Sequence, residues 1–384
     1  MEAYLDNAAT TRCSERACRL MADLLTRDFG NPSSLHMKGV EAECYIEEAK
    51  KKIAKTLRVP EKELIFTSGG TESNNLAILG TAMANQRAGK HIITTGIEHP
   101  SVANPMHALE ELGFSVTYLG VDQDGQISLE ELEQAVTDET ILVSMMHVNN
   151  EIGAIEPIEA AARIIRTKNP GTVIHADGIQ SYGKLRVYPE RMGLDLFSAS
   201  GHKLHGPKGI GFLWKRDKIK VKPLLLGGGQ QKGMRSGTEN VPAIAGLGEA
   251  AWEMHRHLEE NLDHLYGLKE HFVEGLSGLE QVCVNGKTGQ ESAPHIVSAS
   301  FAGVRSEVLL HALENKQIYV SAGSACASNK PTKSRTLTEI GLKPELLDST
   351  IRFSFSVHTT QEELDYTLQC LQELIPDLRR YSRK

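Results

Sequence analysis

Seven short apolar runs punctuate the chain between residues 63 and 214: ELIFT (63–67), HIITT (91–95), SVTYL (115–119), ILVSMM (141–146), TVIHA (172–176), LDLFSA (194–199) and GIGFLW (209–214). Helix-like segments separate most of them. Ser128 and Glu131 form a capping box around Leu129, and PIEAAARIIRT (157–167) is amphipathic. Strands alternating with helices predict a mostly parallel sheet covered on both faces, an α/β fold. Beyond about residue 245 the pattern changes. One long helical stretch, Ile244 to Leu276, leads to the strand-like runs QVCVN, HIVSASFA, QIYVS and IRFSFS. A last helix opens at Thr360 with Glu363 three residues on, and its apolar stripe is Leu364, Leu368, Leu371 and Leu374. The 384 residues admit two to three domains. We read a large mostly parallel-sheet domain over 16–250 and a smaller α+β domain made of 1–15 and 251–384. The one long polar stretch, 323–341, reads as a loop.

Bulk properties narrow the function. The formal net charge of −7 argues against a nucleic-acid surface. No apolar run approaches the ~18 residues of a membrane span. Asp6, Arg12, Glu15, Arg16 and Arg19 leave no signal-peptide core at the start. These features predict a cytoplasmic protein with neither membrane nor direct nucleic-acid partners. The cysteines, at 13, 18, 44, 283, 326 and 370, form no C-x-x-C pair and are expected to be free thiols.

In an open parallel sheet, ligands bind beyond the carboxyl ends of the strands. After ELIFT come Ser68, Gly69, Gly70 and Thr71, opening a helix whose free N–H groups suit an anion. After HIITT comes His99. After ILVSMM come Asn149 and Asn150. After TVIHA come Asp177 and Gln180. After LDLFSA come Ser200, His202 and Lys203. Singly, each has a plain structural explanation: His99 a satisfied core histidine, Asp177 a helix cap, Asn150 a turn residue. Together they deliver a phosphate nest, an imidazole, an amide, a carboxylate and a lysine to one rim. This set suits a flat aldehyde cofactor with a phosphate arm. An unprotonated lysine condenses with the aldehyde, a carboxylate keeps the pyridine nitrogen protonated, and an imidazole stacks on the ring. His202 and His205 have ligand-like spacing, but no glutamate or further histidine stands near them in sequence, and no metal is expected.

The motifs YLDNAATT, GNPSSLH, TSGGTESNN, EHPSV, HVNNEIGAI, HADGIQS, SGHKLHGPKG, GGGQQKGMRSGTEN, SAGSACAS and IRFS, in that order, resemble those of cysteine desulfurases of the NifS/IscS type. That group belongs to the class V aminotransferases, pyridoxal-phosphate enzymes of fold type I. The resemblance implies pyridoxal 5′-phosphate as cofactor and L-cysteine as substrate. It implies that Lys203 holds the cofactor and moves the substrate's α-proton, and that Asp177 faces the pyridine nitrogen. Gln180 would face the phenolic oxygen, and His99 would stack on the ring and take part in proton transfer. Gly70, Thr71, Ser200 and His202 would hold the phosphate. Thr238 would reach the phosphate of a partner subunit in a homodimer. Asn150, which also borders the cofactor, and Arg352 would hold the substrate carboxylate. Cys326 would take the sulfur as a persulfide, releasing alanine, for transfer to iron–sulfur assembly or to a thiolation enzyme. The alternatives are a selenocysteine lyase, another class V aminotransferase, or a non-enzymatic sulfur-carrier scaffold. The intact set of Lys203, Asp177, His99 and Arg352 argues against the scaffold.

Overall fold

The computed structural model describes residues 1–322 and 333–382. The chain opens with β1 (Ala3–Tyr4), α1 (Glu15–Thr26) and α2 (Met37–Leu57). It then alternates as the apolar runs predict. First come β2 (Leu64–Thr67), α3 (Gly70–Asn85), β3 (His91–Thr95), α4 (Pro100–Glu111) and β4 (Ser115–Leu119). There follow α5 (Leu129–Ala135), β5 (Thr140–Met146), α6 (Ile158–Lys168), β6 (Val173–Asp177), β7 (Leu196–Ser200) and β8 (Gly211–Lys215). These strands form a seven-stranded sheet in the order β2-β8-β7-β6-β5-β3-β4. Neighbours are parallel except at β8, which runs against both β2 and β7. The reversal has a simple cause. A parallel return needs a crossover of about a dozen residues or more, and only residues 201–210 separate β7 from β8. Every residue of central β5 is buried, whereas edge strand β4 begins exposed.

The double reversal through β8 leaves β2 parallel to β7. The carboxyl ends of β2, β7, β6, β5 and β3 therefore share one rim. Gly211, the first residue of β8, pairs there with both Thr67 and Ser200. A Cβ on it would lie 2.5 Å from the Ala199 carbonyl oxygen and 2.8 Å from Gly69 Cα. Only glycine lets the turn after β2 close this tightly.

The chain continues through α7 (Val241–Arg256), α8 (Leu258–Ser277), β9 (Val282–Asn285), β10 (Ile296–Phe301), α9 (Ser306–Glu314), β11 (Ile318–Tyr319) and β12 (Ser321–Ala322). It ends with α10 (Arg335–Glu339), α11 (Pro344–Leu347), β13 (Thr350–Ser354) and α12 (Gln361–Ser382). Three features depart from the sequence reading. The single long helix is two, broken at His257 (φ −113°, ψ 20°). Ile244, Leu247 and Met254 of α7 pack in the apolar cluster around the large sheet, while Leu265, Phe272 and Leu276 of α8 join Phe353 and Leu371 in a second cluster. The break lets one amphipathic stretch serve two cores. The run QIYVS also divides. Ile318–Tyr319 pairs in parallel with β1, and Ser321–Ala322 enters an antiparallel sheet of order β12-β13-β10-β9. Finally, Arg335–Glu339 of the polar stretch is helical, capped by Ser334, whose Oγ accepts the Leu337 N–H at 3.0 Å.

Of the two capping boxes, the one at Thr360 closes in both directions, Thr360 N to Glu363 Oε2 at 2.7 Å and Glu363 N to Thr360 Oγ1 at 3.3 Å. At Ser128 only the hydroxyl arm forms, and Glu131 turns to the Gly120 N–H. The N-terminal segment laces the two cores together. Ala3 and Leu5 sit in the second cluster, whereas the Thr11 and Ser14 N–H groups donate to the His202 and His205 carbonyls, each at 2.8 Å. Among the described residues, no helix is long and apolar enough to cross a membrane.

Candidate active site

The shared rim forms one wall of a cleft of about 780 Å³. Gly70, His99 and Asp177 reach it from the large sheet, and Ser321 and Arg352 from the smaller one. Thr71, Asn150, Gln180, Ser200, His202 and Lys203 line it too. Thr238 does not; it is exposed on the segment between β8 and α7.

Lys203 ends a 3₁₀ turn (Gly201–Lys203) directly after β7. The turn is tight because the Gly206 N–H returns to the Gly201 carbonyl at 3.0 Å and His205 takes a left-handed φ of 62°. The Lys203 Nζ donates to the carbonyls of Ala8 and Ala9 at 2.6 and 2.7 Å. The N-terminal segment thus grips the amine at the cleft floor. The adjacent His202 accepts or donates at Nδ1 to Thr10 Oγ1 (3.2 Å), and burial and neighbouring lysines push its pKa down to about 4. A neutral imidazole there can serve an anion through an N–H, not through charge.

Asp177 ends β6. Its Oδ1 accepts the Ile179 N–H at 2.9 Å and its Oδ2 accepts from Asn74 Nδ2 at 2.8 Å. Burial pushes its carboxyl above the usual range, and the Ile179 N–H, His99, Asn74 and Lys203 pull it back. Asn74 also donates to Ser101 Oγ at 2.9 Å, which leaves the Ser101 hydroxyl proton for His99 Nδ1 at 2.8 Å. The Ser101 backbone N–H donates to the same nitrogen at 3.1 Å, making His99 the N-cap of α4. Two donors on Nδ1 place the ring proton on Nε2, and burial holds the imidazole pKa below its ordinary value. Sequence reasoning missed Asn74 and Ser101. The signal for Asn74 was its position one turn beyond Gly70 on α3, on the face that meets the rim. Glu98 was also missed. It borders the cleft beside His99, its Oε1 accepts from Thr95 Oγ1 and the Met146 N–H, each at 2.8 Å, and burial pushes its pKa up to about 8.

On the opposite side, Arg352 of β13 donates through Nη2 to Asp6 Oδ1 (2.8 Å) and through Nη1 to the Asn150 carbonyl (2.9 Å). Among the described residues its buried Nε has no partner. A guanidinium held at two corners on the cleft wall presents the planar fork that suits a carboxylate. The two asparagines divide their tasks. Asn149 caps its own turn, its Oδ1 accepting from the Glu151 and Ile152 N–H groups at 2.8 and 3.0 Å, and Asn150 faces the cleft. Cys326 lies outside the described residues. The residues flanking that segment, Ser321 and Ala322 before it and Lys333 and Ser334 after it, line the cleft.

The donor set fits a flat aldehyde cofactor with a phosphate arm. An amine, a buried carboxylate and a neutral imidazole surround one space, and the start of a sixteen-residue helix stands beside the Ser200 hydroxyl. A Cβ on Gly70 would lie 2.1 Å from Ile179 Cδ1, so any larger residue at this helix start would have to displace that side chain.

Comparisons with known proteins agree with this geometry. The family model described as Aminotransferase class-V matches residues 3–367. Cysteine desulfurase IscS of Dictyoglomus turgidum is 42% identical over 382 residues, covering 99% of this chain and 96% of its own. A solved NifS-like protein superposes with a TM-score of 0.93 at 38% identity, covering 98% of this chain and 100% of its own. The protein SspA, solved in complex with cysteine, superposes with a TM-score of 0.79 at 32% identity, covering 93% of this chain and 100% of its own.

Proposed function

Since the chain belongs to the class V aminotransferase family, we propose that it is a pyridoxal-phosphate-dependent cysteine desulfurase, converting L-cysteine to L-alanine and an enzyme-bound persulfide. The observation that carries this reading is convergence on one cleft. Lys203, Asp177 and Arg352 meet there with both flanks of the segment bearing Cys326. Bound pyridoxal 5′-phosphate supplies an electron sink for the substrate's α-carbon. Lys203 anchors the cofactor through Nζ, leaving the Ala8 and Ala9 carbonyls, and carries the substrate's α-proton. Asp177 holds the proton of the pyridine nitrogen. Gly70, Thr71, Ser200 and His202 bind the phosphate, and Thr238 serves that of a second subunit. His99 covers the ring and exchanges a proton through Nε2. Arg352 and Asn150 orient the substrate carboxylate. The Cys326 thiolate forms the new S–S bond as the substrate's C–S bond breaks.

The chain is proposed to work as a homodimer in the cytoplasm and to hand sulfur to an iron–sulfur scaffold or a thiolation enzyme. Leu25, Phe29, Leu35 and Met37 stand exposed close together in sequence, which supports a covering second copy. The described cysteines are free thiols, which suits a reducing compartment. Two separate apolar clusters support the division of the chain near residues 15 and 250. The decisive test uses Cys326→Ala. The variant should keep the visible absorption of the bound cofactor yet form no persulfide and little sulfide from cysteine. Full sulfide release by this variant, or a wild type that stays colourless after incubation with pyridoxal 5′-phosphate, would overturn the proposal.

A further inference from the structure

Behind the cleft lies a buried polar cluster that the reaction described above does not use. Lys184 follows the β6 turn and is buried, and its Nζ reaches Gln180 Oε1 at 3.3 Å. His295, fully buried just before β10, brings its Nε2 to the same oxygen at 3.3 Å. On the other side of the amide, Gln180 Nε2 lies 2.9 Å from the Ala8 carbonyl, the same oxygen that receives Lys203 Nζ.

A carbonyl oxygen can only accept, so the Ala8 contact fixes which end of the Gln180 amide is nitrogen. Oε1 then faces Lys184 and His295, and both must donate to it. Reversing the amide would set two acceptors against each other at Ala8 and amide hydrogens against the two donors. Among the described residues, those whose charge reaches Lys184 or His295 from the surrounding elements are Lys203, Arg352, His202, His205 and Lys269, and Glu291 acts on Lys269 and Tyr266. Among the described residues no carboxylate compensates Lys184, and burial lowers its pKa well below the ordinary value. Two buried groups that bring no ion pair to the site nevertheless converge on one amide oxygen.

We propose that Lys184 and His295 are positioning residues that lock the Gln180 amide, so that its second Nε2 hydrogen is presented to the cleft as a fixed donor to the anionic ring oxygen of the bound cofactor. The inference rests on the cofactor reading above and extends it to two residues remote from the reacting atoms. A donor fixed in this way stabilises the deprotonated chromophore and lowers the pH at which it titrates.

The test is a pH titration of the visible band of the holoenzyme. Gln180→Leu should raise the midpoint by about one to two pH units, the equivalent of one hydrogen bond to a charged oxygen. Lys184→Met and His295→Leu should each raise it by a part of that, and together by no more than Gln180→Leu does. In the Gln180→Leu background neither should move the midpoint further. A Lys184→Met shift that persists in that background would mean a through-space charge effect and overturn the proposal. So would loss of stability with the midpoint unchanged, which would mark both residues as packing groups. If the wild type shows no band at all, the cofactor reading fails first, and the two failures are thereby told apart.

Discussion

His99 carries two tasks that substitution can separate. Its Nδ1 caps α4 through the Ser101 N–H at 3.1 Å and faces the Ser101 hydroxyl at 2.8 Å, while its ring borders the cleft. His99→Ala removes both. A lost N-cap costs about 1 kcal/mol. The buried Ser101 hydroxyl loses an acceptor worth about another 1 kcal/mol. The unfolding free energy, read from urea midpoints, should therefore fall by about 2 kcal/mol. His99→Asn should recover most of it, because asparagine is among the best capping residues. Turnover should not recover. A positioned imidazole contributes roughly 10²–10⁴ to proton transfer, so alanine formation should stay about a hundredfold or more below wild type in both variants. The pH dependence adds a sign. Burial lowers the folded-state pKa of His99 below its ordinary 6.5. Its contribution to stability is present above that unfolded value and is lost as pH falls through the folded one. His99→Asn should lose less stability on acidification than wild type. If His99→Asn restored turnover along with stability, the imidazole would be a cap and nothing more. If it were no more stable than His99→Ala, the capping role would be wrong.

Three further outcomes are expected. Glu98 has a folded pKa of about 8 against an ordinary 4.5, so its contribution is full below 4.5 and is lost as pH rises through 8. Glu156, also pushed up to about 8, adds a slope of the same sign, and in Glu98→Gln the unfolding free energy should fall less between pH 5 and pH 8 than in wild type, as urea midpoints at the two pH values will show. Asp6→Asn keeps an acceptor for Arg352 but removes the opposing charge; KM for cysteine should fall severalfold while stability drops by about 1 kcal/mol, and a raised KM would contradict the role given to Arg352. Glu363→Ala should cost about 0.5–1 kcal/mol in thermal or urea unfolding and Glu131→Ala much less, because only the first closes its box.

The large sheet was legible in the sequence because each strand run is apolar, short and bounded by a helical period. The rim followed, since carboxyl ends of parallel strands must lie together, and His99, Asp177 and Lys203 were found by asking what comes after each run. The direction of β8 was not read there, although the short span from Ser200 to Gly211 contains it. The split of QIYVS between two sheets was hidden because local periodicity carries no information about partners. The same holds for the helix break at His257, which is set by the two cores the helices serve. The grip on Lys203 was beyond sequence reasoning for a different reason. It is made by the backbone carbonyls of Ala8 and Ala9, groups that every residue carries. Asp6 with Arg352 is a contact across 346 positions that no spacing rule anticipates.

That lacing of the first residues into the last has a consequence for biosynthesis. Ala3 pairs with Ile318, and Asp6 waits for Arg352, so residues 3–6 leave the ribosome with no place to dock until nearly the whole polypeptide has emerged. Lys203 is translated long before its carbonyl clamp can close. The grip on Lys203 must therefore be a late event in the life of each newly made molecule, and a nascent chain halted before position 318 should lack it however much of the large sheet it has already formed.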